Sequence, residues 1–142
     1  MNERPGSDRT STRWVLLAGG SVAVGVHAGL APAHLHEWAP LGASFIAAAA
    51  VSGAAVTAVA LRPNEHWPAR LLSVVLAGLI GAYLLTRLVA LPPLDPDREP
   101  LDALGLVTVA AELAGLVAGL RLLSRPSTAT RTPLSLSQGG NR

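Results

Sequence analysis

The chain has 142 residues, enough for one domain, and half of them are apolar while only 14% are charged, about half the share usual in a soluble protein. It contains no cysteine, which excludes a disulfide framework, thiolate metal sites and thiol catalysis. The formal net charge of +2 comes from eleven arginines and no lysine, placed at segment ends and in tails. No basic stripe with stacking aromatics exists, so nucleic acid is not an expected partner.

Residues 1–13 are rich in Ser, Thr, Gly and Arg and lack apolar periodicity, so they are expected to form a disordered tail. The first apolar segment runs over 14–33, a length suited to a membrane helix, which needs roughly 20 apolar residues. Arg13, an apolar run and Ala31-Pro32-Ala33 also resemble a cleavable signal peptide. The run is long for that role and contains His27, which favours a retained span. A polar connection with His34, His36 and Glu37 follows.

The second segment, 39–61, carries only Ser and Thr as polar residues and has no polar stripe of the kind a soluble bundle helix shows. The third is expected over 69–91 and the fourth over 101–123, with a second disordered tail at 124–142. Pro32, Pro40, Pro63, Pro68, Pro92, Pro93, Pro96, Pro100 and Pro126 fall at or beyond the segment ends, as punctuation. Trp14, Trp38 and Trp67 stand at or just before span starts, where an indole sits among headgroups. Together these define an all-α integral membrane protein, an antiparallel four-helix bundle in contact with the lipid bilayer.

Orientation follows from the arginines. Arg4, Arg9, Arg13, Arg62, Arg70, Arg121, Arg125, Arg131 and Arg142 flank one end of the bundle, and only Arg98 flanks the other. The positive-inside rule then puts both termini on the cytoplasmic side of a bacterial plasma membrane. The opposite rim carries His34, His36, Glu37, Asp95, Asp97 and Glu99.

Lipid gives no hydrophobic drive for helix association, so small residues mark the expected interfaces. Gly105, Thr108, Glu112, Gly115 and Gly119 share one face of the fourth span, the clearest packing face in the chain. Gly25 and Gly29 serve the first span, Gly42, Ile46, Ala49, Gly53 and Val56 the second, and Gly78 and Ala82 the third. Such faces also suit a homo-oligomer or a partner membrane protein.

Arg87 and Glu112 are the charges deep inside the spans. Arg87 and His27 lie about 6 Å below the outer span ends, and Glu112 lies roughly 15 Å down. Tyr83 is one turn deeper than Arg87, and Thr108 is one turn above Glu112. A carboxylate near the midplane costs about 3 kcal/mol or more to hold charged. Glu112 is therefore protonated, paired or facing water. Either Arg87 reaches toward it, bridged by Tyr83, Thr108 or water, or Arg87 turns out to the rim acids. The group His27, Tyr83, Arg87, Thr108 and Glu112 is a candidate site for a small ion or ligand, or a lock between helices. On the rim, His34, His36 and Glu37 are ligand types for a divalent metal such as zinc or copper, with weakly specific spacing.

The stretches His27…His34-Leu35-His36-Glu37-Trp38…Gly42…Phe45 and Thr86-Arg87…Leu91-Pro92…Glu99-Pro100…Glu112 resemble two motifs of small, uncharacterised four-span bacterial membrane proteins. The resemblance covers roughly half the chain and implies that His27, His34, Glu37, Arg87, Glu99 and Glu112 are the positions that matter. It implies no activity. The chain departs from the pattern at Ser52, near a place where Gln is frequent, and at Ala90, where Gly is usual. Small multidrug-resistance transporters also have four spans and one membrane Glu, but theirs is in the first helix, and many have balanced flanking charge. No nucleophile–base pair, phosphate loop or HExxH motif points to an enzyme. The leading reading is thus a non-enzymatic membrane protein with an intramembrane polar site, and the alternative is an accessory subunit.

Overall fold

The computed structural model describes residues 5–88 and 102–124. Four helices account for nearly all of them: α1 (Pro5–Glu37), α2 (Ala39–Leu61), α3 (Trp67–Leu88) and α4 (Ala103–Ser124). Each is long and apolar enough to cross a membrane. The outward faces are apolar too, with Leu61 75% exposed and Val74 and Leu88 each 69% exposed. Water would penalise such a surface, whereas lipid matches it. The expected all-α bundle is what forms. Asp95, Asp97, Glu99, the part of the third span after Leu88 and the tail from residue 125 onward lie outside the described residues.

α1 overruns both of its expected ends. It begins at Pro5, inside the segment expected to be disordered, and continues through Pro32 to Glu37. Proline at a helix start sacrifices no intrahelical bond, and Asp8 in the first turn complements the helix dipole. The Thr12 hydroxyl adds a bond to the Asp8 carbonyl at 2.7 Å. Pro32 does not end the helix, and it stands on an exposed face. The connection to α2 shrinks to Trp38, in extended conformation (φ −156°, ψ 111°), with Pro40 in the first turn of α2. That tight hairpin depends on Gly42, where a Cβ would collide with the backbone and side chain of Leu35.

α1 and α3 each pack against both α2 and α4, and they also approach one another across the bundle, whereas α2 and α4 do not meet. The apolar core lies toward the arginine-bearing end, where Leu16, Ala55, Val59, Leu72, Leu76 and Leu122 are buried together. Glycines let α1 into this core. A Cβ on Gly19 would stand 2.6 Å from the Ala111 carbonyl oxygen and 2.9 Å from Gly115 Cα, so α1 and α4 touch backbone to backbone. Gly20, next on the helical wheel, faces Val56 of α2 and Leu72 of α3 instead. Two adjacent glycines thus serve three neighbours.

The small-residue faces are used unevenly. The α4 stripe is the expected one: Thr108, Glu112, Gly115 and Gly119 are buried and Gly105 is half-buried. On α2 the buried residues are Gly42, Ser52, Ala55 and Val59, while Ile46 is 50% exposed, so the facing stripe is rotated from the expected one. Gly25, Gly29 and Gly78 meet nothing within 4 Å and face outward. Small residues populate every face of these helices, and only the long side chains opposite them decide which face closes.

Candidate functional site

The polar residues begin where the apolar core stops. Gly19 meets Gly115 at one level and Gly20 meets Val56 close by. About one turn farther from the arginine-bearing end, the antiparallel helices bring Ala23, Ser52 and Glu112 to a common level. Ala23 and Ser52 are completely buried and Glu112 is 2% exposed. The Glu112 Oε1 and the Ser52 hydroxyl are both buried without a hydrogen-bond partner. Such atoms cost free energy wherever they are left, and the cost is larger in hydrocarbon than near water. Thr108, one turn above Glu112, donates its hydroxyl to the Leu104 carbonyl at 2.7 Å and so is satisfied within its own helix.

Arg87 turns outward rather than down. Its Nη2 lies 3.3 Å from Asp102 Oδ2 across the α3–α4 interface, and its guanidinium sits 4.7 Å from the centre of the Tyr83 ring. Asp102 has a second role as the residue before α4: its Oδ1 accepts the Gly105 N–H at 2.7 Å, capping an unsatisfied helix donor. Gly105 gives Tyr83 its seat, since a Cβ there would stand 2.7 Å from the ring and 2.9 Å from the phenol oxygen. The Tyr83 hydroxyl is buried without a hydrogen-bond partner. Among the described residues Arg87 thus meets Tyr83 and Asp102, and it does not pair with Glu112.

Because Asp102 both caps and pairs, its two roles are separable. Asp102→Asn keeps a capping oxygen and loses only the ion pair between a half-exposed carboxylate and the largely buried Arg87 guanidinium, so a stability loss of about 1–2 kcal/mol is expected. Asp102→Ala removes the cap as well and is expected to cost about 1 kcal/mol more. Detergent-phase thermal unfolding of the two variants checks the order; equal losses would remove the cap from the account.

His27 lies one turn beyond Ala23, its Nδ1 donating to the Ala23 carbonyl at 2.8 Å. Its ring is 5.2 Å from that of Phe45, and the His34 ring lies tilted against Phe45 at 4.3 Å. The His-x-His-Glu run does not converge. Since α1 stays helical to Glu37, His34 and Glu37 share a face, three residues apart, and pair at 3.1 Å. His36 falls about 200° around the helix from His34 and is exposed. Among the described residues no group of three His, Asp or Glu side chains is placed to hold a metal ion. His34 and Glu37 thus share one face of α1, and His36 lies on another.

Of the expected site residues, Tyr83 and Arg87 come together, Thr108 and Glu112 share the buried face of α4, and His27 stands apart on the α1–α2 side. Asp102 was missed, and Ser52 was noted only as a departure from the motif of the proteins the chain resembles. Asp102 had a signal, an acid directly before an apolar run with Gly three residues on, which reads as a helix cap. The burial of Ser52 was not legible, because it depends on the rotation of α2.

Four candidate membrane-spanning helices around a buried acid define a multi-pass helical membrane protein. Comparisons with family models, with curated proteins and with solved structures find no match for the chain. The resemblance to small four-span bacterial proteins rests on the two residue motifs alone.

Proposed function

We propose that this is a non-enzymatic protein of a bacterial plasma membrane, with both termini cytoplasmic, whose Glu112 takes up a proton or a small cation inside the bundle. The observation that carries the reading is the Glu112 carboxyl group, 2% exposed, with Oε1 lacking a hydrogen-bond partner. An ionised carboxyl group there is too costly to persist alone, so its charge is balanced by a proton or by a cation that arrives with it. Ser52 supplies a second uncommitted oxygen at the same level, and Tyr83 a third about two turns farther out. An oxygen-bearing interior of this kind suits a hard cation or a proton better than an apolar ligand.

The route of approach follows the asymmetry of the core. Among the described residues, the arginine-bearing half is filled by Leu16, Leu72, Leu76 and Leu122, whereas beyond Glu112 the buried ones are Thr108, Gly42 and Ala31. Access from the rim that carries His34 and Asp102 therefore displaces less of the described packing. The alternative, an accessory subunit in which Arg87 and Glu112 lock helices together, is weakened by the pairing of Arg87 with Asp102.

Reconstituted liposomes carrying an internal pH dye, or an internal sodium-sensitive dye, test the proposal. An imposed proton or sodium gradient is expected to collapse faster than in protein-free vesicles. Glu112→Gln should slow that collapse by about tenfold or more, because the exchangeable charge is gone. No flux above protein-free vesicles for either ion, or flux that survives Glu112→Gln, would sink the proposal.

A further inference from the structure

A groove of about 520 Å³ opens at the opposite, arginine-bearing end of the bundle, between the start of α1, the α2–α3 connection and the end of α4. Among the described residues its walls carry Arg9, Arg13 and Arg62 against a single carboxylate, Glu65. That carboxylate is already engaged: it pairs with Arg62 at 3.4 Å and accepts the Trp67 indole N–H. Arg13 donates through Nη2 to the carbonyls of Val59 and Ala60 at 2.6 and 2.8 Å, neutral acceptors that leave its charge uncompensated, and its Nε is buried without a partner. Arg9 stands one turn before Arg13 on the same face, held there by the unexpected helical extension of α1. Leu17, one turn further along this face, and Leu122 form an apolar floor. Trp14, 66% exposed, stands at the lip.

We infer that this groove binds the phosphate of an anionic glycerophospholipid, its headgroup between Arg9, Arg13 and Arg62 and its glycerol and first methylenes on Leu17 and Leu122. Guanidinium groups pair with phosphate oxygens in bidentate, charge-assisted bonds, and three of them around one carboxylate leave an excess of positive charge. A free phosphate would be satisfied by the arginines alone. The apolar floor and the interfacial indole favour the lipid source, since they match the depth at which headgroup gives way to acyl chain. The site is at the other end of the molecule from Glu112, and it stands whether or not Glu112 exchanges a cation.

Native mass spectrometry of the full chain, released from nanodiscs of phosphatidylcholine doped with phosphatidylglycerol, reads the site directly. One phosphatidylglycerol per chain should be retained in preference to phosphatidylcholine. Arg9→Gln combined with Arg62→Gln should weaken retention by about tenfold for each charge removed. Arg13 is left intact because it also ties α1 to the end of α2, and helicity measured by circular dichroism controls for folding. Equal retention of the two lipids, retention unchanged in the double variant, or displacement of the lipid by millimolar inorganic phosphate would each overturn the assignment, the last in favour of a soluble phosphate.

Discussion

Gly19→Ala is expected to destabilise the bundle by about 1–3 kcal/mol, the usual range for overpacking a closed interface. The new Cβ would stand 2.6 Å from the Ala111 carbonyl oxygen and 2.9 Å from Gly115 Cα, both backbone atoms of α4. Neither yields by a rotamer change, so α1 and α4 must separate along their whole contact. Gly115→Ala, the same substitution on the partner helix, meets a flexible Leu76 Cδ1 at 3.0 Å and Gly19 Cα at 3.2 Å, and should cost less. Gly25→Ala and Gly29→Ala meet nothing within 4 Å. They should be neutral or gain up to about 1 kcal/mol from reduced backbone entropy. Unfolding of the four variants in one detergent by graded heat or dodecyl sulfate gives the order. Should Gly25→Ala lose as much as Gly19→Ala, α1 packs through a different face.

The contrast among these glycines shows how far the sequence could be read. Gly25 and Gly29 had the spacing of an interface and Gly19-Gly20 did not, yet the adjacent pair does the packing. Spacing reports which residues share a face. It does not report which face finds a partner, because that depends on the large side chains of three other helices. The α4 stripe was legible since its polar residues, Thr108 and Glu112, had an independent reason to avoid lipid. Helix number and approximate bounds were legible for the same reason, as apolar length against a fixed bilayer thickness leaves few choices. The first helix was misjudged at both ends because proline and polar composition were read as breaks. A helix that leaves the bilayer can carry Arg9 and Asp8 into water, and Pro32 on an exposed face loses one bond without losing the helix. The placement of the rim histidines follows from the same extension, since in a continuous helix His34 and His36 lie on different faces.

The same physics that makes Glu112 a candidate site predicts that replacing its carboxyl group makes the protein sturdier. Glu112→Met replaces the carboxyl group by an unbranched apolar side chain of similar length and removes an oxygen that has no hydrogen-bond partner. A buried unsatisfied polar group costs about 1–3 kcal/mol, and packing the space with methyl and sulfur recovers much of that. A gain of about 1 kcal/mol or more is therefore expected in unfolding by heat or dodecyl sulfate, together with loss of ion flux in liposomes. Gain in stability with loss of activity is the signature of a group retained against its own folding cost. If Glu112 were instead half of a lock between helices, its removal would strand the other half and lower stability by about 3 kcal/mol or more. The sign of one unfolding difference thus separates a working acid from a structural one. Arg87→Gln offers the complementary case: its largely buried guanidinium pairs with Asp102 and lies over the Tyr83 ring, so a loss of stability with flux largely retained is the outcome the proposal expects.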